Sequence, residues 1–76
     1  MPYAKGKEVE FTFHAQKRML ERRITYEQVI KVIEKPDRER RARSRGCRRA
    51  ERRLGRRTFG VVYREGRKAI TIVTVW

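Results

Sequence analysis

RERRARSRGCRRAERRLGRR, residues 38–57, is the stretch on which the fold turns. It holds eleven Arg and two Glu, a local charge of +9 within a chain of net charge +13. Two structures suit it. One is a basic arm that orders on nucleic acid; the other is a pair of charged strands joined near Ser44 to Gly46, each presenting arginines. Ala42, Ala50 and Leu54 are the only aliphatic residues here, too few to fix strand register by burial, so composition alone favours the arm.

The flanks are more legible. Downstream, Thr58 to Arg64 places Phe59, Val61 and Tyr63 on one face, and Ala69 to Trp76 is a β-branched run suited to a central strand. The link between them carries Gly66, expected to supply the positive φ of a tight hairpin turn. Upstream, Thr25 and Gln28 are spaced as a capping box, and Tyr26, Val29, Ile30 and Ile33 form the apolar stripe of a helix that Pro36 ends. Before it, Ala15, Met19 and Leu20 fall at helical spacing beside a stripe of His14, Arg18 and Arg22, with the helix ending near Arg23. Val9, Phe11 and Phe13 alternate with Glu10 and Thr12 and read as a strand. The order is β, α, α, then two to four strands: an α+β domain with helices packed on an antiparallel sheet.

At 76 residues the chain makes one domain, residues 1–76, near the size where a single core only just suffices. Leu, Ile, Val and Phe number 17, gathered in residues 9–33 and 54–75, so two apolar blocks can pack across a polar middle. Of the 22 basic side chains six are Lys, leaving sixteen Arg. Guanidinium is a planar, permanently charged fork that grips phosphate oxygens in pairs and stacks on bases, so RNA or DNA is the expected partner. Cys47 is the only cysteine, which excludes an internal disulfide and suits a reducing compartment. Met1 to Glu10 contains no apolar leader core, and no apolar run approaches a membrane span, so a cytoplasmic protein without membrane contact is expected.

Few groups are equipped for chemistry. Asp37, Glu39 and Glu51 are dispersed among arginines and no Cys/His spacing suits zinc, so neither a metal nor another cofactor is expected. Metal-free RNA cleavage stays open, because the 2′-hydroxyl is a built-in nucleophile and the protein need only move protons and stabilise charge at phosphorus. His14 is the sole imidazole, with Arg18 and Arg22 one and two helical turns on, a stripe suited to one phosphate. Equally, His14 can cap a helix or lie half buried. Tyr63, Glu51 and Trp76 offer a proton or a stacking face, although each residue type is more often a core or surface residue.

Phe13, His14, Ala15, Arg18, Met19, Glu21, Arg22, Ile24, Thr25, Val29, Ile33, Lys35 and Pro36 together resemble the opening of the domain of unknown function 4258 family. Its members are small bacterial and archaeal proteins placed near the RelE and BrnT toxins. Leu54, Val61, Val62 and the closing Ile72 to Trp76 resemble its last strands, so the likeness spans residues 11–76. The resemblance implies a RelE-like fold, two N-terminal helices packed on a twisted antiparallel sheet whose other face meets RNA. It favours strands over an arm for residues 38–57. It also implies a toxin-like role, because the wider superfamily includes messenger-RNA interferases that work without metal through basic and aromatic side chains.

The expected function is therefore an RNA-binding, toxin-like protein acting as a metal-independent endoribonuclease of a toxin–antitoxin system. His14 is the candidate acid or base, with Arg18 and Arg22 beside it. Arg41, Arg43, Arg48, Arg49, Arg52, Arg53 and Arg64 are the candidate nucleic-acid-binding residues, of which Arg49, Arg53 and Arg64 are the candidates that the resemblance suggests for the sheet arginines of RelE-like toxins. Expected partners are RNA or DNA, an acidic antitoxin protein and the ribosome. The alternative is a non-catalytic RNA- or DNA-binding module, ribosome-associated, in which His14 is structural.

Overall fold

Local signals set both helices of the computed structural model, which describes residues 2–76. The Thr12 hydroxyl accepts from the Ala15 amide at 3.0 Å and donates to the Val73 carbonyl at 3.0 Å, starting helix α1 (Phe13–Arg22) and tying it to the last strand. Arg23, at φ 55°, ends it in the left-handed region. The Thr25–Gln28 capping box forms in full, at 2.9 and 3.1 Å, and opens α2 (Tyr26–Glu34). Ala15 and Met19 of α1 and Val29, Val32 and Ile33 of α2 are buried.

Two apolar side chains differ from expectation. Phe13 belongs to α1, not to the preceding strand, and is 89% exposed, because the Thr12 cap ends extended geometry at Phe11. Leu20 is 83% exposed: one residue beyond buried Met19 it sits about 100° further round the helix, off the core face.

Six strands make one sheet: β1 (Tyr3–Ala4), β2 (Lys7–Phe11), β3 (Arg38–Arg41), β4 (Cys47–Leu54), β5 (Arg57–Glu65) and β6 (Ala69–Val75). Their spatial order is β1-β2-β6-β5-β4-β3. The fold is α+β as expected, with two corrections. The sheet is mixed, because β2 runs parallel to β6 while every other pair is antiparallel. The strand expected ahead of the helices is present as β2, but β1 precedes it in a small hairpin turned at Lys5 (φ 55°) and Gly6 (φ 74°), so the helices are not N-terminal as the resemblance implies. The route permits the parallel pair: both helices and three strands intervene between β2 and β6, long enough for a crossover.

Residues 38–57 form strands rather than an arm. All eight residues of β4 pair with β5, so an apolar central strand serves as template where local burial is sparse. Cys47 and Ala50 are buried on β4, and Gly46, at φ 76°, makes the turn from β3. Gly66 does not take the positive φ expected of it. Its amide instead donates to the Ala69 carbonyl at 2.8 Å, and an added Cβ would crowd that same oxygen at 3.2 Å.

Between β5 and β6, Val61 faces Val75, Val62 faces Thr74, and Tyr63 faces Ile72, so Val73 is an extra residue without a partner. This bulge resets the alternation. Ile70, Ile72 and Val75 are consequently all buried toward the helices, and Trp76 emerges on the opposite face. The core, which also holds Val9, Phe59, Val61 and Tyr63, lies between the helices and one face of the sheet.

Candidate nucleic-acid interface

Strand alternation sorts the arginines of β4. Arg48 and Arg52 share the helix-bearing side with Ala50, while Arg49 and Arg53 project from the other, open face. Arg48 Nη2 donates to Glu39 Oε1 at 2.9 Å, and Arg52 Nη1 donates to the Lys31 carbonyl at 3.1 Å, closing the end of α2. Both are engaged in holding the fold.

Glu39 is the centre of a small network. Tyr63 Oη donates to Glu39 Oε2 at 2.6 Å, and Lys5 Nζ donates to Tyr63 Oη at 3.2 Å while lying 3.9 Å from Oε2. The Tyr63 bond, joined by Arg48 and Lys5, holds the Glu39 carboxyl below the usual carboxylate range. Burial, then the Glu39 hydrogen bond and charge, pushes the Tyr63 phenol well above its ordinary value. A depressed folded-state pKa adds stability above the unfolded pKa and loses it as pH falls through the folded one. Glu39→Gln is therefore expected to lower the urea midpoint near about pH 7 and to flatten its decline on acidification. Glu65, held low chiefly by its 2.8 Å hydrogen bond from Lys7, supplies a second acid-side decline that the variant keeps. Midpoints falling in parallel for both proteins would refute the role given to Glu39.

The open face is different. Arg49 lies with its guanidinium carbon 4.4 Å over the Trp76 ring and Nη2 3.3 Å from Glu51 Oε2. Trp76 in turn crosses Gly60, where any Cβ would overlap the indole, and exchanges two 3.0 Å backbone hydrogen bonds with it. Arg53 Nε donates to the Gly55 carbonyl at 3.1 Å, and Arg64 Nη2 lies 3.9 Å from the buried Cys47 sulfur. Arg41 and Arg43, with Arg40, Ala42 and Ser44, wall a groove of about 470 Å³ floored by Val62, Val73 and Thr74, with Arg49 at its side.

The α1 stripe occupies its own element. His14 and Arg22 are exposed, and Arg18 is half buried with an Nε atom that has no hydrogen-bond partner. Arg18 is about 200° around the helix from both Gln16 and Leu20, which line a small apolar groove with Tyr26; it therefore projects away from that groove. The ends of α1 are fixed by Thr12 on Val73 and by Arg57, whose Nη2 donates to the Arg22 carbonyl at 2.7 Å. α1 thus lies along the end of β6 that leads to Trp76.

Residues 11–76 match the family described as Domain of unknown function (DUF4258). The chain belongs to this family. No curated protein and no solved structure matches it. Among the described residues of this DUF4258 domain, no three His, Cys, Asp or Glu side chains gather, and no helix is long and apolar enough to cross a membrane.

The DUF4258 fold brings Arg41, Arg43 and Arg49 to one groove, places Arg53 further along β4 and Arg64 on β5, and separates Arg48 and Arg52 from them. Sequence reasoning omitted Arg40, which stands opposite Arg49 across the β3–β4 pair. That register was the missing signal. Trp76 was noted as a stacking face, but its seat on Gly60 depends on the bulge at Val73.

Proposed function

We propose that this chain is an RNA-binding, toxin-like protein that grips single-stranded RNA on the open face of its sheet. The observation that carries this reading is the segregation of arginines. Arg49, Arg53 and Arg64 stand with Trp76 on a face that no helix covers, beside a groove walled by Arg40, Arg41 and Arg43. Guanidinium groups interleaved with an aromatic ring suit phosphates and unstacked bases together. The helices-on-one-face arrangement is compatible with a RelE-like fold, and an acidic antitoxin segment is the protein partner that +13 suits.

In the toxin-like reading the protein is a metal-independent endoribonuclease. His14 moves the proton at the 2′-hydroxyl or the leaving oxygen, and arginines stabilise the charge that builds on the phosphate. His14 is exposed in the first turn of α1, on the helix-bearing side of the sheet, so in this reading the RNA passes round the sheet from the open face to reach it. A second reading, a ribosome-associated binding module without catalysis, is favoured by a different observation: the open face carries no side chain that ordinarily titrates near neutrality.

Incubation with mixed-sequence single-stranded RNA in EDTA separates them. Products ending in 2′,3′-cyclic phosphate, lost in His14→Ala with affinity nearly unchanged, are expected of the enzyme. Salt-sensitive binding without cleavage, alike in both proteins and also on translating ribosomes, would assign the chain to the binding class.

A further inference from the structure

The groove between the β3–β4 loop and the β5–β6 floor has more cations than anions to meet them. Arg40, Arg41, Arg43 and Arg49 surround it, with Glu51 the carboxylate beside Arg40 and Arg49. One Glu51 oxygen lies 3.3 Å from Arg49 Nη2 and the other 4.0 Å from Arg40 Nη2. Arg49 Nε is buried without a hydrogen-bond partner. Four guanidinium groups around one carboxylate repel one another, and a phosphodiester entering between them would relieve that repulsion.

Arg49 is also held in place before any ligand arrives. Trp76 supports one face of its guanidinium, and Gly60 supports Trp76. Little side-chain freedom then remains to be lost on binding. Beside this rim the floor changes character: Val62 and Val73 present aliphatic surface, with the Thr74 and Ser44 hydroxyls near it. A charged rim beside an apolar floor matches the two halves of a nucleotide. The larger basic cavity nearby, about 840 Å³, also holds surplus arginines, but its lining includes neither the Arg49–Trp76 stack nor the Val62–Val73 floor.

We infer that this groove binds one nucleotide of single-stranded RNA, with the phosphate between Arg40 and Arg49 and the base on the Val62–Val73 floor. Arg43 closes over the phosphate from the β3–β4 loop, with Arg41 beside it at the end of β3. The inference rests on the RNA-binding reading above and assigns that binding a defined centre.

The test compares wild type, Arg49→Gln, Arg40→Gln and Arg56→Gln in binding a short single-stranded RNA followed by fluorescence anisotropy. Arg56 is exposed in the β4–β5 turn, outside the groove, so its variant removes the same charge elsewhere. Each groove variant should lose about tenfold or more in affinity and the Arg56 variant less than about threefold, as expected for charged hydrogen bonds against diffuse attraction. Trp76 is the only tryptophan, so its emission should change as wild type saturates with RNA. Arg40→Gln, which leaves the Arg49–Trp76 stack intact, decides the matter should Arg49→Gln fail to fold. Equal losses in groove and control variants, with binding still salt-sensitive, would overturn the nucleotide site and leave RNA binding standing. No RNA binding by wild type would overturn both.

Discussion

Raising salt from about 50 to about 200 mM should weaken single-stranded RNA binding by roughly 300-fold. Arg40, Arg41, Arg43, Arg49, Arg53 and Arg64 are the six arginines that the groove and the open face offer to phosphates. Each phosphate neutralised on a single strand contributes about −0.7 to the slope of log affinity against log salt, so six give roughly −4. Arg48 and Arg52 are not in this count, because Glu39 and the α2 carbonyl terminus already occupy them. Removing either should therefore leave the slope nearly unchanged, whereas Arg49→Gln should make it shallower by about 0.7. Anisotropy titrations across that salt range read both quantities. A flat dependence would sink the toxin-like and the binding-module readings together.

Tyr63→Ala should remove most of the fold's stability. The side chain is fully buried at the sheet's centre, and its hydroxyl joins Glu39 of β3 to Lys5 of the β1–β2 turn. Emptying an aromatic core site costs about 3–5 kcal/mol. A domain of this length is held by only about 4–11 kcal/mol in all. Tyr63→Phe separates the two contributions: packing is kept, and Glu39 loses a donor at a cost of about 1–3 kcal/mol. Urea midpoints for the two variants measure the division. A Phe variant as stable as wild type would show that the network adds nothing to packing.

The parts of this fold that sequence disclosed are those set by near neighbours. The Thr25–Gln28 capping box, the stop at Pro36 and the Phe59–Val61–Tyr63 alternation depend on residues a few positions apart, and each stands where its spacing puts it. The arginine segment was ambiguous because its order comes from a distant template. Ala50 alone cannot fix a register, but eight residues of β4 laid along β5 can, and Glu39 and Glu51 then find their arginines. The parallel β2–β6 pair was illegible for the same reason: nothing within Lys7–Phe11 encodes the direction of a strand some sixty residues away. The candidate site was half legible. Its residue type was evident from composition, but which arginines face outward depends on strand parity, and so Arg48 and Arg52 stood beside Arg49 and Arg53 without distinction.

The unpaired Val73 makes the last strand sensitive to lengthening but gives it one residue of slack for shortening. A deletion of that single residue would close the bulge and leave Thr74, Val75 and Trp76 on their present partners, whereas a residue inserted after it would exchange their destinations, turning the indole inward and Val75 toward solvent. With that insertion Arg49 would lose its support and the core a buried valine in one event. Substitutions along this tail can be graded and local. An insertion cannot, so lengthening the stretch between Ile72 and Trp76 should be far less tolerable to this protein than replacements at the same positions or the loss of one residue.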